Sequence, residues 1–138
     1  MDNKISTSEL RLGNWVYDGN YTKFPMQVET ISKDYVYLDF EGNEGDVYEC
    51  SNEEIHPIPI TGEILKKIGF VKHNLYGYKE HFIYRYECSN RLELTALFDS
   101  DFSLDICGIA KRISNLHHLQ NIMLDLFGIK LEIKREYL

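Results

Sequence analysis

The sequence predicts an α+β chain: a small all-β unit over residues 1–60, packed on an α+β layer over residues 61–138. Three observations predict it. Short apolar runs separated by turn formers fill the first sixty residues. Helix-cap signals belong to two later stretches, 61–69 and 114–127. Residues 109–134, IAKRISNLHHLQNIMLDLFGIKLEIK, change period midway. Leu116, Leu119, Met123 and Leu126 recur at helical steps, after which Ile129, Leu131 and Ile133 alternate with Lys130, Glu132 and Lys134 as in a strand with one covered face.

In chain order, Leu10, Leu12, Trp15 and Val16 open a first strand, with Gly13-Asn14 as a turn or bulge. Met26, Val28 and Ile31 mark a second strand. Tyr35 to Asp39 is a third, with Val36 and Leu38 on one face. Residues 41–45 form a hairpin connection, and Asp46 to Cys50 a fourth strand. Ser51 and Glu54 have capping-box spacing, which predicts one helical turn over 52–55. In His56-Pro57-Ile58-Pro59-Ile60 the two prolines cannot donate to a central ladder, so this is an edge or closing strand. Four strands, one helical turn and a last strand is the element order of a small Src-homology-3-like or Tudor-like barrel.

The second part opens with a short helix over 61–69, capped by Thr61, with Glu63 in its positive first turn and Gly69 at its end. Ile64, Leu65 and Ile68 form its apolar side. An antiparallel meander follows, with strands around Phe70–Lys72, Tyr76–Tyr78, His81–Cys88, Leu92–Phe98 and Phe102–Cys107. Helix 114–127, with Ser114 as N-cap and Gly128 as left-handed C-cap, then covers one sheet face, and strand 129–134 closes the layer.

A chain of 138 residues, 43% hydrophobic and 27% charged, is ordinary globular material forming one domain or two small ones. The polar start Met1-Asp2-Asn3-Lys4 predicts no signal peptide, and no run approaches the roughly 20 apolar residues of a membrane span. Cys50, Cys88 and Cys107 are odd in number and far apart, which suits reduced thiols in a cytoplasmic protein. The net charge of −7 is uneven: residues 1–60 carry four basic against twelve acidic side chains, residues 61–138 eleven against ten. The acidic part would repel a phosphate backbone.

No cofactor or metal is expected. The stretch 39–50 starts like a calcium loop but has Glu44 where glycine is needed and Cys50 where glutamate is needed. Asp99, Asp101 and Asp105 read as solvated turn and strand carboxylates. His117 and His118 are adjacent, so on a helix they point about 100° apart and cannot chelate one ion together. His117, Gln120 and Asn121 are instead expected to tie the helix to neighbouring backbone by side-chain hydrogen bonds. Nucleophile elbows and glycine-rich phosphate loops are absent, so an enzyme is not expected.

Three segments together resemble a known group. They are Glu9-Leu10-Arg11-Leu12-Gly13-Asn14-Trp15-Val16, then Pro57-Ile58-Pro59-Ile60-Thr61 with Glu63-Ile64-Leu65 and Gly69-Phe70, then His117 with Leu119-Gln120-Asn121. Their order and spacing resemble the small uncharacterised proteins encoded by phages, prophages and mobile elements of Bacteroidetes. Asn115 and Phe127 depart from the aromatic residue and the threonine usual at those places. The resemblance implies a bacterial or phage-derived cytoplasmic accessory protein and carries no activity or cofactor.

The functional expectation is a non-enzymatic module that binds a protein with a basic surface through an acidic, aromatic face. The candidate residues are Tyr35, Tyr37, Asp39, Glu41, Glu44 and Asp46. The rival readings are a nucleic-acid-associated module using Lys66, Lys67, Lys72, Lys130, Lys134 and Arg135, and an enzyme with an unfamiliar site.

Overall fold

A computed structural model describes residues 5–19, 24–39, 48–51, 53–74, 81–86, 93–97, 101–106 and 109–138. The chain divides into two compact units. The first comprises Met1–Ile58, Asn115–Leu131 and Leu138; the second comprises Pro59–Ser114 and Glu132–Tyr137.

The first unit opens with a 3-10 turn, Thr7–Glu9, capped by the Ser6 hydroxyl. Five strands follow: β1 (Trp15–Asp18), β2 (Phe24–Ile31), β3 (Tyr35–Asp39), β4 (Tyr48–Ser51) and β5 (Ile55–Pro57). They form one antiparallel sheet in the order β4-β3-β2-β1-β5. Among the described residues the sheet has open ends at β4 and β5 and is not a closed barrel. The turn between β4 and β5 is closed by the Glu54 N–H donating to Ser51 C=O at 3.0 Å, where the sequence predicts a helical turn. One face of the sheet is apolar: Val16, Met26, Val28, Val36, Leu38, Cys50 and Ile55 are buried with Ile5 and Leu10. Val28 and Ile31 stand three residues apart yet oppose Leu38 and Val36, which stand two apart; a bulge between Val28 and Thr30 absorbs the extra residue.

This unit also holds α2 (Leu116–Phe127). The sequence reading assigns that helix to the second part of the chain. The correction has a physical reason: periodicity marks which helix face is covered, not which segment covers it. Leu116, Leu119 and Met123 are fully buried, whereas Leu126, at 58% exposure, is not part of the covered stripe. The N-cap is Asn115 rather than Ser114, and its side chain makes no cap bond. Gly128 is left-handed at φ 65°, as its position predicts, and its N–H donates to Leu124 C=O at 3.0 Å. Residues 129–134 alternate in burial around Leu131, but no strand of either sheet pairs with them among the described residues. Alternation needs only a chain with one side covered, so the expected strand 129–134 is not formed. A 3-10 turn, Arg135–Tyr137, ends the chain.

The second unit contains α1 (Gly62–Lys67) and strands β6 (Phe70–Asn74), β7 (His81–Tyr86), β8 (Glu93–Leu97), β9 (Asp101–Ile106) and β10 (Ile109–Arg112). They make an antiparallel meander, β10-β9-β8-β7-β6. Its covered face carries Phe70, Tyr84, Tyr86, Leu94, Ala96, Phe102 and Leu104. The rings of Phe70 and Tyr86 lie 5.1 Å apart, those of Tyr84 and Phe102 5.7 Å. Strand β10 is absent from the sequence reading, because Ala110-Lys111-Arg112 offers no alternating pattern. Tyr76–Tyr78, Cys88, Asp99 and Cys107 lie outside the described residues. Both units are mixed or mostly antiparallel β, and the chain as a whole is α+β.

Candidate functional site

Two places in the first unit gather the residues that the sequence singles out. The first is the join between residues 9–15 and α2. Gly13, at φ 87°, turns the chain in a conformation that favours glycine. Its N–H donates to Val28 C=O at 2.8 Å, which docks the turn on β2. The turn leaves the 9–15 backbone facing α2, and two helix side chains, Gln120 and Asn121, bond to it. Gln120 accepts from the Trp15 N–H at 2.9 Å through Oε1 and donates to Gly13 C=O at 3.2 Å through Nε2. Asn121 Nδ2 donates to Glu9 C=O at 2.9 Å, while its Oδ1 accepts from Asn14 Nδ2 at 2.9 Å. Asn14, almost fully buried, is held in turn because its Oδ1 accepts from the Arg11 N–H at 2.9 Å. Outside this seam Arg11 and Asp125 form a two-pronged ion pair that raises the guanidinium pKa and lowers that of the carboxyl.

His117 completes the seam. It is buried, with Nε2 3.3 Å from Glu9 Oε1 and with Nδ1 lacking a hydrogen-bond partner among the described residues. Burial holds its imidazole below the usual histidine range. The Glu9 carboxylate pulls the other way, and His118 adds to the lowering. Glu9, Asn115, His117, His118 and Asn121 line a recess of about 130 Å³. That is well short of the roughly 300 Å³ at which small-molecule sites begin. Among the described residues no three His, Cys, Asp or Glu side chains are placed to hold a metal ion. The seam holds a helix to a loop.

The second place is the outer side of β3 and β4. Val36 and Leu38 point into the core at 0% exposure, so Tyr35 and Tyr37 stand on the opposite side, half-buried. Their rings are perpendicular with centroids 5.6 Å apart. Glu49 is the direct cross-strand neighbour of Tyr37, and the Tyr37 hydroxyl donates to its Oε2 at 3.3 Å. The Glu49 charge, with smaller help from burial and Tyr35, raises the Tyr37 pKa. Asp39 ends the same strand, half-buried. Glu41, Glu44 and Asp46 lie outside the described residues.

Sequence reasoning singles out Tyr35, Tyr37 and Asp39 but misses Glu49, and it misses Asn14, Arg11 and Asp125 at the seam. Register supplies Glu49, which pairs with Tyr37 across the β3–β4 ladder. The segments that meet at the seam, Glu9 to Asn14 and His117 to Asn121, are both singled out in the sequence. No family model, curated protein or solved structure matches the chain.

Proposed function

We propose that this protein is a non-enzymatic binding module whose first unit holds a basic segment of another protein against the outer side of β3 and β4. One observation carries the reading: Tyr35, Tyr37 and Glu49 share that side, opposite fully buried Val36 and Leu38. Aromatic faces beside a carboxylate attract cations, and the acidic excess of residues 1–60 steers them. The strand order supports a small Src-homology-3-like barrel, since β5 returns to pair with β1 after a four-strand meander and the bulge gives β2 extra twist. The resemblance drawn from the two ends of the seam supports a cytoplasmic accessory role in a phage or mobile element. The nucleic-acid reading has weaker support. Lys66 is paired with Glu63 at 3.7 Å, and Lys72 lies 3.9 Å over the Phe82 ring, so neither is gathered into a basic patch.

The test is an amide NMR titration with two eight-residue peptides, one alternating Lys and Ser, the other Glu and Ser. The basic peptide is expected to shift β3 and β4 resonances, more weakly as salt rises. Equal shifts from the acidic peptide, or shifts confined to other strands, would overturn the reading.

A further inference from the structure

We propose that the outer side of β3 and β4 selects arginine over lysine, with the Tyr37 ring and the Glu49 carboxylate as the two halves of one guanidinium site and Tyr35 as the positioning residue. The proposal rests on the binding face described above and goes further by naming the chemical group recognised.

The geometry has three parts. Tyr37 and Glu49 are direct partners across the β3–β4 ladder, so ring and carboxylate share one side of the sheet. The hydroxyl of Tyr37 donates to Oε2 of Glu49 at 3.3 Å, which lays the carboxylate alongside the phenol and leaves Oε1 and further lone pairs as acceptors. The ring of Tyr35 meets that of Tyr37 at 90°, which fixes the plane of the second ring. A cation here meets a π face and a carboxylate at neighbouring positions.

Those two surfaces ask different things of a ligand. Stacking on a ring face asks for a flat, weakly hydrated cation. The carboxylate beside it asks for donors projecting from the edge of that plane. Guanidinium meets both demands at once, because its five donors lie in the plane of its charge. Ammonium is compact and strongly hydrated, so it gives up water to reach the ring and gains no second donor fork at the carboxylate. The excess of acidic groups in residues 1–60 attracts either cation equally, so the discrimination belongs to this pair.

The experiment compares two probes of equal length and charge, an eight-residue Arg/Ser alternating peptide and its Lys/Ser counterpart, by NMR titration of the full chain. The Arg peptide is expected to bind about fivefold more tightly, with its largest shifts at Tyr37 and Glu49. Glu49→Gln and Tyr37→Leu should each bring the two peptides to parity. Tyr37→Phe keeps the ring and removes the anchor for the carboxylate, so it should lower the Arg advantage without abolishing ring-dependent binding. Equal affinity of the two peptides for the unaltered protein, with shifts still at β3 and β4, would overturn the selectivity and leave the binding face standing. Absence of shifts at β3 and β4 with either peptide would overturn both. An Arg advantage that survives Glu49→Gln in a variant with an unchanged amide spectrum elsewhere would also overturn the assignment.

Discussion

The two helices are held by opposite means. Helix α1 is short and carries its own instructions. The Thr61 hydroxyl accepts from the Ile64 N–H at 3.2 Å, Glu63 sits in the first turn, and Ile68 closes the end. Helix α2 is twice as long, and its N-cap residue makes no side-chain bond. Gln120, Asn121 and His117 bind it to residues more than a hundred positions away. Local hydrogen bonds are written where they act, so α1 is readable in advance. Long-range ones depend on a meeting of two segments that neither announces alone.

The contrast can be broken most forcefully at the apolar side of α2. Leu119→Ala is expected to cost roughly 2–5 kcal/mol in urea melts, the usual large-to-small penalty at a fully buried site. A loss under about half a kcal/mol, the range of exposed positions, would place that face in solvent.

The polar seam comes next. Gln120→Ala strands the Trp15 N–H and leaves Gly13 C=O with the Gln27 amide as donor, so it should cost about 1–3 kcal/mol. Asn14→Ala and Asn121→Ala should couple in a double-mutant cycle by at least about 0.5 kcal/mol, since their amides bond directly. Strict additivity of the two would mean that the bond does not form in solution.

At α1 the expected effect is smaller. Thr61→Ala removes one cap bond and should cost about 1 kcal/mol. A loss comparable to that of Leu119→Ala would show that α1 too relies on distant partners.

The last effect vanishes at neutral pH. Burial depresses the His117 pKa in the folded chain, so below about 6.5, the ordinary histidine value, the unfolded chain takes up a proton that the folded one resists. Stability is then complete above that value and falls as the medium is acidified toward the folded pKa. Comparing melts at pH 7.5 and 5.5, the unaltered protein should lose more than His117→Gln does; equal losses would mean that Glu9 offsets burial and leaves the folded pKa unshifted, and a smaller loss that Glu9 holds His117 protonated in the fold.

Much of the architecture was legible, for particular reasons. Val36 and Leu38 alternate with tyrosines, and strand period fixes their sides; Thr61 and Gly128 occupy cap positions with side-chain or backbone requirements of their own. Other features were not. Met123 and Leu126 read alike as apolar helical residues, yet only Met123 is covered, because coverage belongs to the neighbour. Residues 129–134 alternate without pairing, because a ladder needs a second strand. At the candidate site the tyrosines were visible in the sequence and Glu49 was not, since its place opposite Tyr37 follows from register.

The bulge in β2 has a genetic consequence. Thr30 already opposes Tyr37 and Ile31 already opposes Val36, so Glu29 is the residue without a rung of its own. Loss of its single codon would leave every cross-strand partnership and both faces of the sheet intact, and would change only how sharply the strand coils. A deletion of three bases there would retune the curvature under Tyr37 while keeping Tyr35, Tyr37 and Glu49 in register.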